Sequence, residues 1–180
     1  MAQKLGELYA TAASKITNDM VKLYPLLLDD NTIANNYYRF ERYYELRNRI
    51  NKELSKLGNK ELEELEKGLK EMYIYSMKKT LKGLKISTNN NKELENVIKS
   101  LWDNRASWSQ TVWCQDGLNG AQRIAKQMTQ LQNALERGMT DCVVRGVSKD
   151  ELVKTLKARF GVSYSEANRL ARTELTYIQN

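Results

Sequence analysis

Apolar residues recur every three or four positions along most of this 180-residue chain, and no useful length of it alternates with period two. Such a stripe lines one face of a helix, because successive side chains advance by about 100°. The expected fold is all-α. Residues 2 to 23, rich in Ala, Leu, Lys and Thr, make a first helix that should stop at Tyr24-Pro25, since proline lacks the N–H and crowds the preceding turn. Asp29, Asp30 and Asn31 offer caps for a second helix, Thr32 to Leu57, with Tyr43, Leu46, Ile50, Leu54 and Leu57 in helical spacing. Gly58-Asn59 should break it. A third, Lys60 to Leu84, carries Leu62, Leu65, Leu69 and Met72, then shifts register to Met77, Leu81 and Leu84. Two helices of similar length around a two-residue break predict an elongated antiparallel hairpin.

The polar run of residues 87–91 marks a boundary. It divides the chain into N-terminal helices with the long hairpin, residues 1–86, and a C-terminal helical bundle, residues 92–180. One helix over 92–115 should turn Val97, Ile98, Leu101, Trp108 and Val112 inward, with Trp102 and Trp113 on its flank. A long helix from about Ala121 to Arg145 then presents Ile124, Met128, Leu131, Leu135, Met139 and Cys142, and closes at Gly146 as the C′ residue. Ser148 with Glu151, and Ser163 with Glu166, have capping-box spacing and predict two short helices meeting at Gly161. The first of these carries Leu152, Leu156 and Phe160 inward.

The last helix holds an anomaly. With Leu170 as the origin, Ala167, Ala171 and Ile178 fall within about 100° of it, and Glu174 falls among them. A carboxylate on an apolar stripe needs a partner, because an unpaired buried charge is costly. Arg169 and Arg172 lie about 140° and 160° away, on the polar side with Thr173. Arg145 and Arg137, on the preceding long helix, are the expected partners of Glu174.

Charge and composition narrow the chemistry. The net charge of +7 comes from excess Lys and Arg in residues 32–57, 60–85 and 145–180, whereas 92–144 balances. That spread fits a generally cationic surface with weak, salt-sensitive, non-specific DNA contact. The absence of histidine removes the commonest general base and metal ligand. Cys114 and Cys142 have no metal-binding spacing and fit a reduced intracellular chain. No phosphate-cradling glycine loop or paired nucleophile and base appears, so neither catalysis nor a cofactor is expected. No apolar run approaches a membrane span, and a soluble protein made in a cytoplasm is expected.

Two surface motifs remain. Around Gly161 the predicted corner admits a DNA-reading helix-turn-helix, but Lys157 stands where that motif wants a small residue. A plain packed corner is the alternative. Tyr37, Tyr38 and Tyr44, with Tyr43, Arg39 and Arg42, either stack nucleic-acid bases or meet a partner protein. Adjacent aromatics cannot all face one way on a helix, which favours a partner interface.

Arg145-Gly146, a Ser148-capped helix ending in Arg159-Phe160-Gly161-Val162-Ser163, and Arg169-Leu170-Ala171-Arg172-Thr173-Glu174 resemble the signature stretch of tailed-phage minor head proteins, the Mu F-like head-morphogenesis family. The likeness is specific over about 97–180, including the tryptophan-containing and long helices, and looser over 32–84. It implies a structural, non-catalytic component of the virion, in the capsid interior near the portal, made in the bacterial host cytoplasm. Portal protein and capsid or scaffold proteins are the implied partners, with several copies per particle. Arg169, Arg172, Thr173 and Glu174 are the implied motif residues. Family members continue past this helix into a cysteine-containing region, so the resemblance also implies further sequence after Asn180. Two alternatives stay open: a sequence-independent DNA-binding protein, and the non-catalytic N-terminal part of a larger phage-associated enzyme.

Overall fold

A computed structural model describes residues 1–28, 33–86, 92–104, 112 and 117–179, with side chains outside 33–40, 177 and 179. It contains α1 (Ala2–Leu28), α2 (Ile33–Gly83), α3 (Lys92–Asp103), α4 (Gly120–Arg145) and α5 (Lys149–Gln179). Among the described residues the only strand-like pairing is an isolated antiparallel bridge between Val112 and Asn119. The fold is all-α.

The expected hairpin is instead one rod. α2 runs unbroken for 51 residues, about 76 Å at 1.5 Å per residue. Gly58 does not interrupt it, because the buried stripe Leu46, Ile50, Leu54, Leu57, Glu61, Leu65 and Leu69 passes through without a change of register. Its missing side chain serves packing: a Cβ at Gly58 would stand 3.1 Å from Met128 Cγ and 3.5 Å from Ile124 Cγ2. Glycine lets α4 approach there. Each breaker is overruled in the same way. α1 continues through Pro25 to Leu28, for Tyr24 and Leu27 on that last turn are buried and outweigh one lost backbone bond. α5 continues through Gly161, since Leu152, Leu156, Phe160, Ser163, Ala167 and Ala171 form one continuous stripe. No corner exists there for a helix-turn-helix, and Ser163 is a buried mid-helix residue rather than a cap.

Cross-helix contacts fix the directions. α1 lies antiparallel on α2, with Lys15 beside Glu53 and Lys4 beside Glu64. α4 also runs antiparallel to α2, placing Arg47 on Glu136 at 2.9 Å. α5 returns antiparallel to α4, bringing Thr155 to Gly138 and Ser163 to Gln127. α1, α2, α4 and α5 share one hydrophobic cluster, so residues 1–86 and 92–180 are not separate domains. α3 covers the remaining length of α2 through Lys70–Asp103, Lys78–Glu95 and the tilted Tyr73–Trp102 ring pair at 5.4 Å.

α3 departs from expectation in length and facing. It ends at Asp103, and Ile98 is buried while Val97 and Leu101 are exposed. Leu84 and Val112 are exposed too. Trp108 and Trp113 lie outside the described residues. α4 fulfils its expected inward face residue for residue, from Ile124 to Cys142. At its end Gly146 adopts φ 61°, and Gly146 N–H donates to Val143 O while Val147 N–H donates to Cys142 O, a Schellman closure. The Tyr24 hydroxyl reaches the same turn, 2.9 Å from Cys142 O and 2.8 Å from Val147 O. α4 begins with an unforeseen capping box in which Asn119 and Gln122 exchange side-chain and backbone bonds at 2.9 and 3.0 Å.

Candidate functional site

α5 presents the Arg-Thr-Glu residues on two opposite faces. Glu174 is 3% exposed and continues the stripe of Ala167 and Ala171, as its position on the wheel predicts. Arg169, Arg172 and Thr173 face outward. Thr173 Oγ1 donates to Arg169 O at 3.0 Å and Arg172 Nε to Asn168 O at 3.4 Å, so both side chains lie along their own helix. The expected partners of Glu174 are misplaced. Because α5 is one helix antiparallel to α4, Glu174 falls beside the start of α4. Arg137 and Arg145 then lie roughly 27 and 39 Å away along the helix axis. Arg145 instead reaches Glu151 at 3.7 Å.

Outside this buried stripe, α4 and α5 form a groove of about 410 Å³ lined by Arg123, Lys126, Gln130, Glu166, Arg169 and Thr173 among others. It adjoins a recess of about 310 Å³ that shares Gln130 and Glu166 and adds Arg159 and Val162. The cations arise at helical spacing, 123 and 126 on α4, 159 and 169 on α5, on faces that the packing stripes leave outward. Arg123 Nε donates to Leu118 O at 3.4 Å. Among the described residues no carboxylate lies within ion-pair distance of Lys126, Arg159 or Arg169. A separate cleft of about 500 Å³ between α2 and α4, around Gly58, is lined by no ionisable side chain among the described residues.

The third feature is a polar layer inside the bundle, one residue from each of its four long helices. Glu61 is 0% exposed. Its Oε2 accepts from the Tyr9 hydroxyl at 2.8 Å, and Tyr9 in turn accepts from Gln127 Nε2 at 2.6 Å. Gln127 Nε2 also stands 2.8 Å from Ser163 O and 3.3 Å from Ser163 Oγ. Glu61 Oε1 has no hydrogen-bond partner among the described residues. Burial disfavours the carboxylate and pushes the Glu61 pKa up to about 7, against which the Tyr9 hydrogen bond acts in the opposite sense. Burial and the neighbouring Glu61 raise the Tyr9 phenol as well, so it stays a donor. A buried layer of this kind fixes which turns of four helices meet, since any slip strands its polar atoms against apolar neighbours.

A stop at Gly58 hides the place of Glu61 in the stripe. A stripe continued from Leu57 to Leu65 puts Glu61 on it, just as Glu174 lies between Ala171 and Ile178. Of the tyrosine and arginine candidates, Tyr44 is 59% exposed and Arg42 half-buried, while Tyr43 packs on the core. The side chains of Tyr37, Tyr38 and Arg39 lie outside the described ones, as does Cys114. Cys142 is a buried free thiol. Among the described residues no group of three or more His, Cys, Asp or Glu could hold a metal ion, and no helix is long and apolar enough to cross a membrane. No family model matches the chain, and no curated protein or solved structure matches it.

Proposed function

We propose that the chain is a structural minor head protein of a tailed phage or prophage, acting by binding and not by catalysis, and assembling with portal and capsid proteins. The observation that carries this reading is the resemblance over residues 145–180, whose oddest member, Glu174, is a buried packing residue. The rest of that motif, Arg169, Arg172 and Thr173, is left on the outer face of the same helix. A helix anchored on one side and cationic on the other suits docking. Tyr44, exposed on α2 two turns before the buried Ile50, adds an aromatic anchor of the sort that protein interfaces favour.

The test is co-expression with the portal protein encoded in the same genome, followed by sizing of the assembled rings. The chain should comigrate with the rings, and Arg172→Ala should weaken comigration without changing helix content by circular dichroism. A folded chain that never comigrates with portal rings or empty heads would remove the proposal.

A further inference from the structure

The groove between α4 and α5 brings four cations together from two helices: Arg123 and Lys126 on one wall, Arg159 and Arg169 on the other. Among the described residues Glu166 is the one carboxylate lining the two recesses, so Lys126, Arg159 and Arg169 by themselves leave a local excess of +2 from 3 − 1. The geometry points to this face as a docking surface for the phosphate backbone of double-stranded nucleic acid, without sequence preference. This stands whether or not the chain assembles with a portal.

Length is the first reason. Arg159 and Arg169 are ten residues apart on α5, about 15 Å along its axis. No small anion bridges that distance, whereas a duplex strand carries one phosphate per ~3.4 Å of axis. Donor chemistry is the second. Arg159 and Arg169 offer planar forks that match phosphate oxygens, and Gln130 and Thr173 add neutral donors of the kind that position a backbone. Lys126, Arg159 and Arg169 are exposed and bound to no carboxylate of the described chain.

What the described groove lacks favours a duplex over its rivals. Among the described residues neither recess is lined by an aromatic side chain. Single strands are held by bases stacked on aromatic rings, and protein partners by buried aromatic anchors. The duplex backbone asks for neither. Nor does a helix project from this face to enter a groove and read bases, because α4 and α5 lie side by side along it. Positive charge elsewhere on the chain, +7 in total, steers the encounter but does not define the site.

The experiment measures binding of a fluorescent 30-base-pair duplex of arbitrary sequence by anisotropy, from 50 to 200 mM NaCl. Three proteins of known helix content are compared: the natural chain, a groove variant (Lys126→Gln, Arg159→Gln, Arg169→Gln), and a control (Lys67→Gln, Lys79→Gln, Lys82→Gln) of equal net charge on the exposed face of α2. The groove variant should bind at least tenfold more weakly at 100 mM NaCl, and its log–log salt slope should flatten by about 2 to 3. The control should lose under threefold. Glu166→Gln should tighten binding several-fold, and a second unrelated duplex should bind equally. Equal losses in the groove and control variants would overturn the site. Polyglutamate competing as well as duplex, charge for charge, would reassign the groove to an acidic protein segment.

Discussion

Replacing Glu61 by glutamine should make the protein more stable at pH 8 and leave it nearly unchanged at pH 4. Glu61 is fully buried, with its surroundings contributed by Tyr9 from α1, Gln127 from α4 and Ser163 from α5, none of them cationic. Lys4, on the same helix as Tyr9, is committed to Glu64 at the surface. The folded state therefore binds the proton more tightly, with a pKa near 7 against an ordinary 4.5. Between those values the native chain holds a proton that the unfolded chain has released, so stability falls as pH rises through the window. The loss is fully present above pH 7. Each pH unit is worth ~1.4 kcal/mol, which makes the whole effect about 3 kcal/mol. Glutamine can accept the Tyr9 hydrogen bond and cannot ionise, so it removes the penalty without stranding the phenol.

Urea unfolding followed by circular dichroism at half-unit steps from pH 4 to 8 measures this directly. The difference between the natural chain and Glu61→Gln isolates the group. Glu53 and Glu95 have carboxyls held below the ordinary range by Lys56 and Lys78, and their stabilisation is lost only as pH falls below the window. The difference should grow from near zero at pH 4 to a plateau of about 3 kcal/mol above pH 7. A flat difference across the range would show that Glu61 is solvated or paired in solution. A Glu61→Gln protein less stable at pH 8 would refute the desolvation reasoning altogether.

Gly161→Ala should raise stability by about 0.5–1 kcal/mol, because the site is mid-helix with open space around the added methyl, whereas a hinge would be weakened. Gly58→Leu should cost ~2 kcal/mol or more by thermal unfolding, since even its Cβ presses on Met128. Glu174→Ala should destabilise by ~1–3 kcal/mol in chemical denaturation, as expected for a buried polar group, while Arg172→Ala stays under ~1 kcal/mol; equal values would place Glu174 at the surface. Tyr44→Ser should leave the melting temperature unchanged and act only on partner association, and a melting shift of several degrees would assign Tyr44 to the core.

The stripes of α4 and α5 are legible in the sequence, whereas the fate of breakers inside a stripe is not. The inward faces of α4 and α5, the Gly146 closure and the burial of Glu174 follow from spacing alone, because 3.6-residue periodicity is a local property. Gly58, Pro25 and Gly161 misled because their propensity costs, about 1 kcal/mol for glycine and about 3 for an interior proline, are smaller than the burial gained by continuing a stripe. Merging two helices into α2, and two into α5, then moved everything placed relative to their ends, including the partners assigned to Glu174. The capping box at Asn119 opens on asparagine, where the usual box opens on serine or threonine, so the common signature does not reveal it. The cationic groove was beyond sequence reading for a different reason. Arg123 and Arg169 come together only when two antiparallel helices settle into register.

The polar layer also orders the making of the protein. Its members are residues 9, 61, 127 and 163, so a ribosome exposes Tyr9 and Glu61 long before Gln127 and Ser163 exist. During that interval α1 and α2 are the only contributors to the layer that exist, and Glu61 stands in water as an ordinary carboxylate, ionised at neutral pH. Its charge discourages that half-built pair from closing a dry seam, or from closing one with a neighbouring nascent chain. Only when α5 has emerged and folded back can the seam close. Completing the core then favours proton uptake by Glu61, the more so below pH 7, which ties the last step of assembly to acidity.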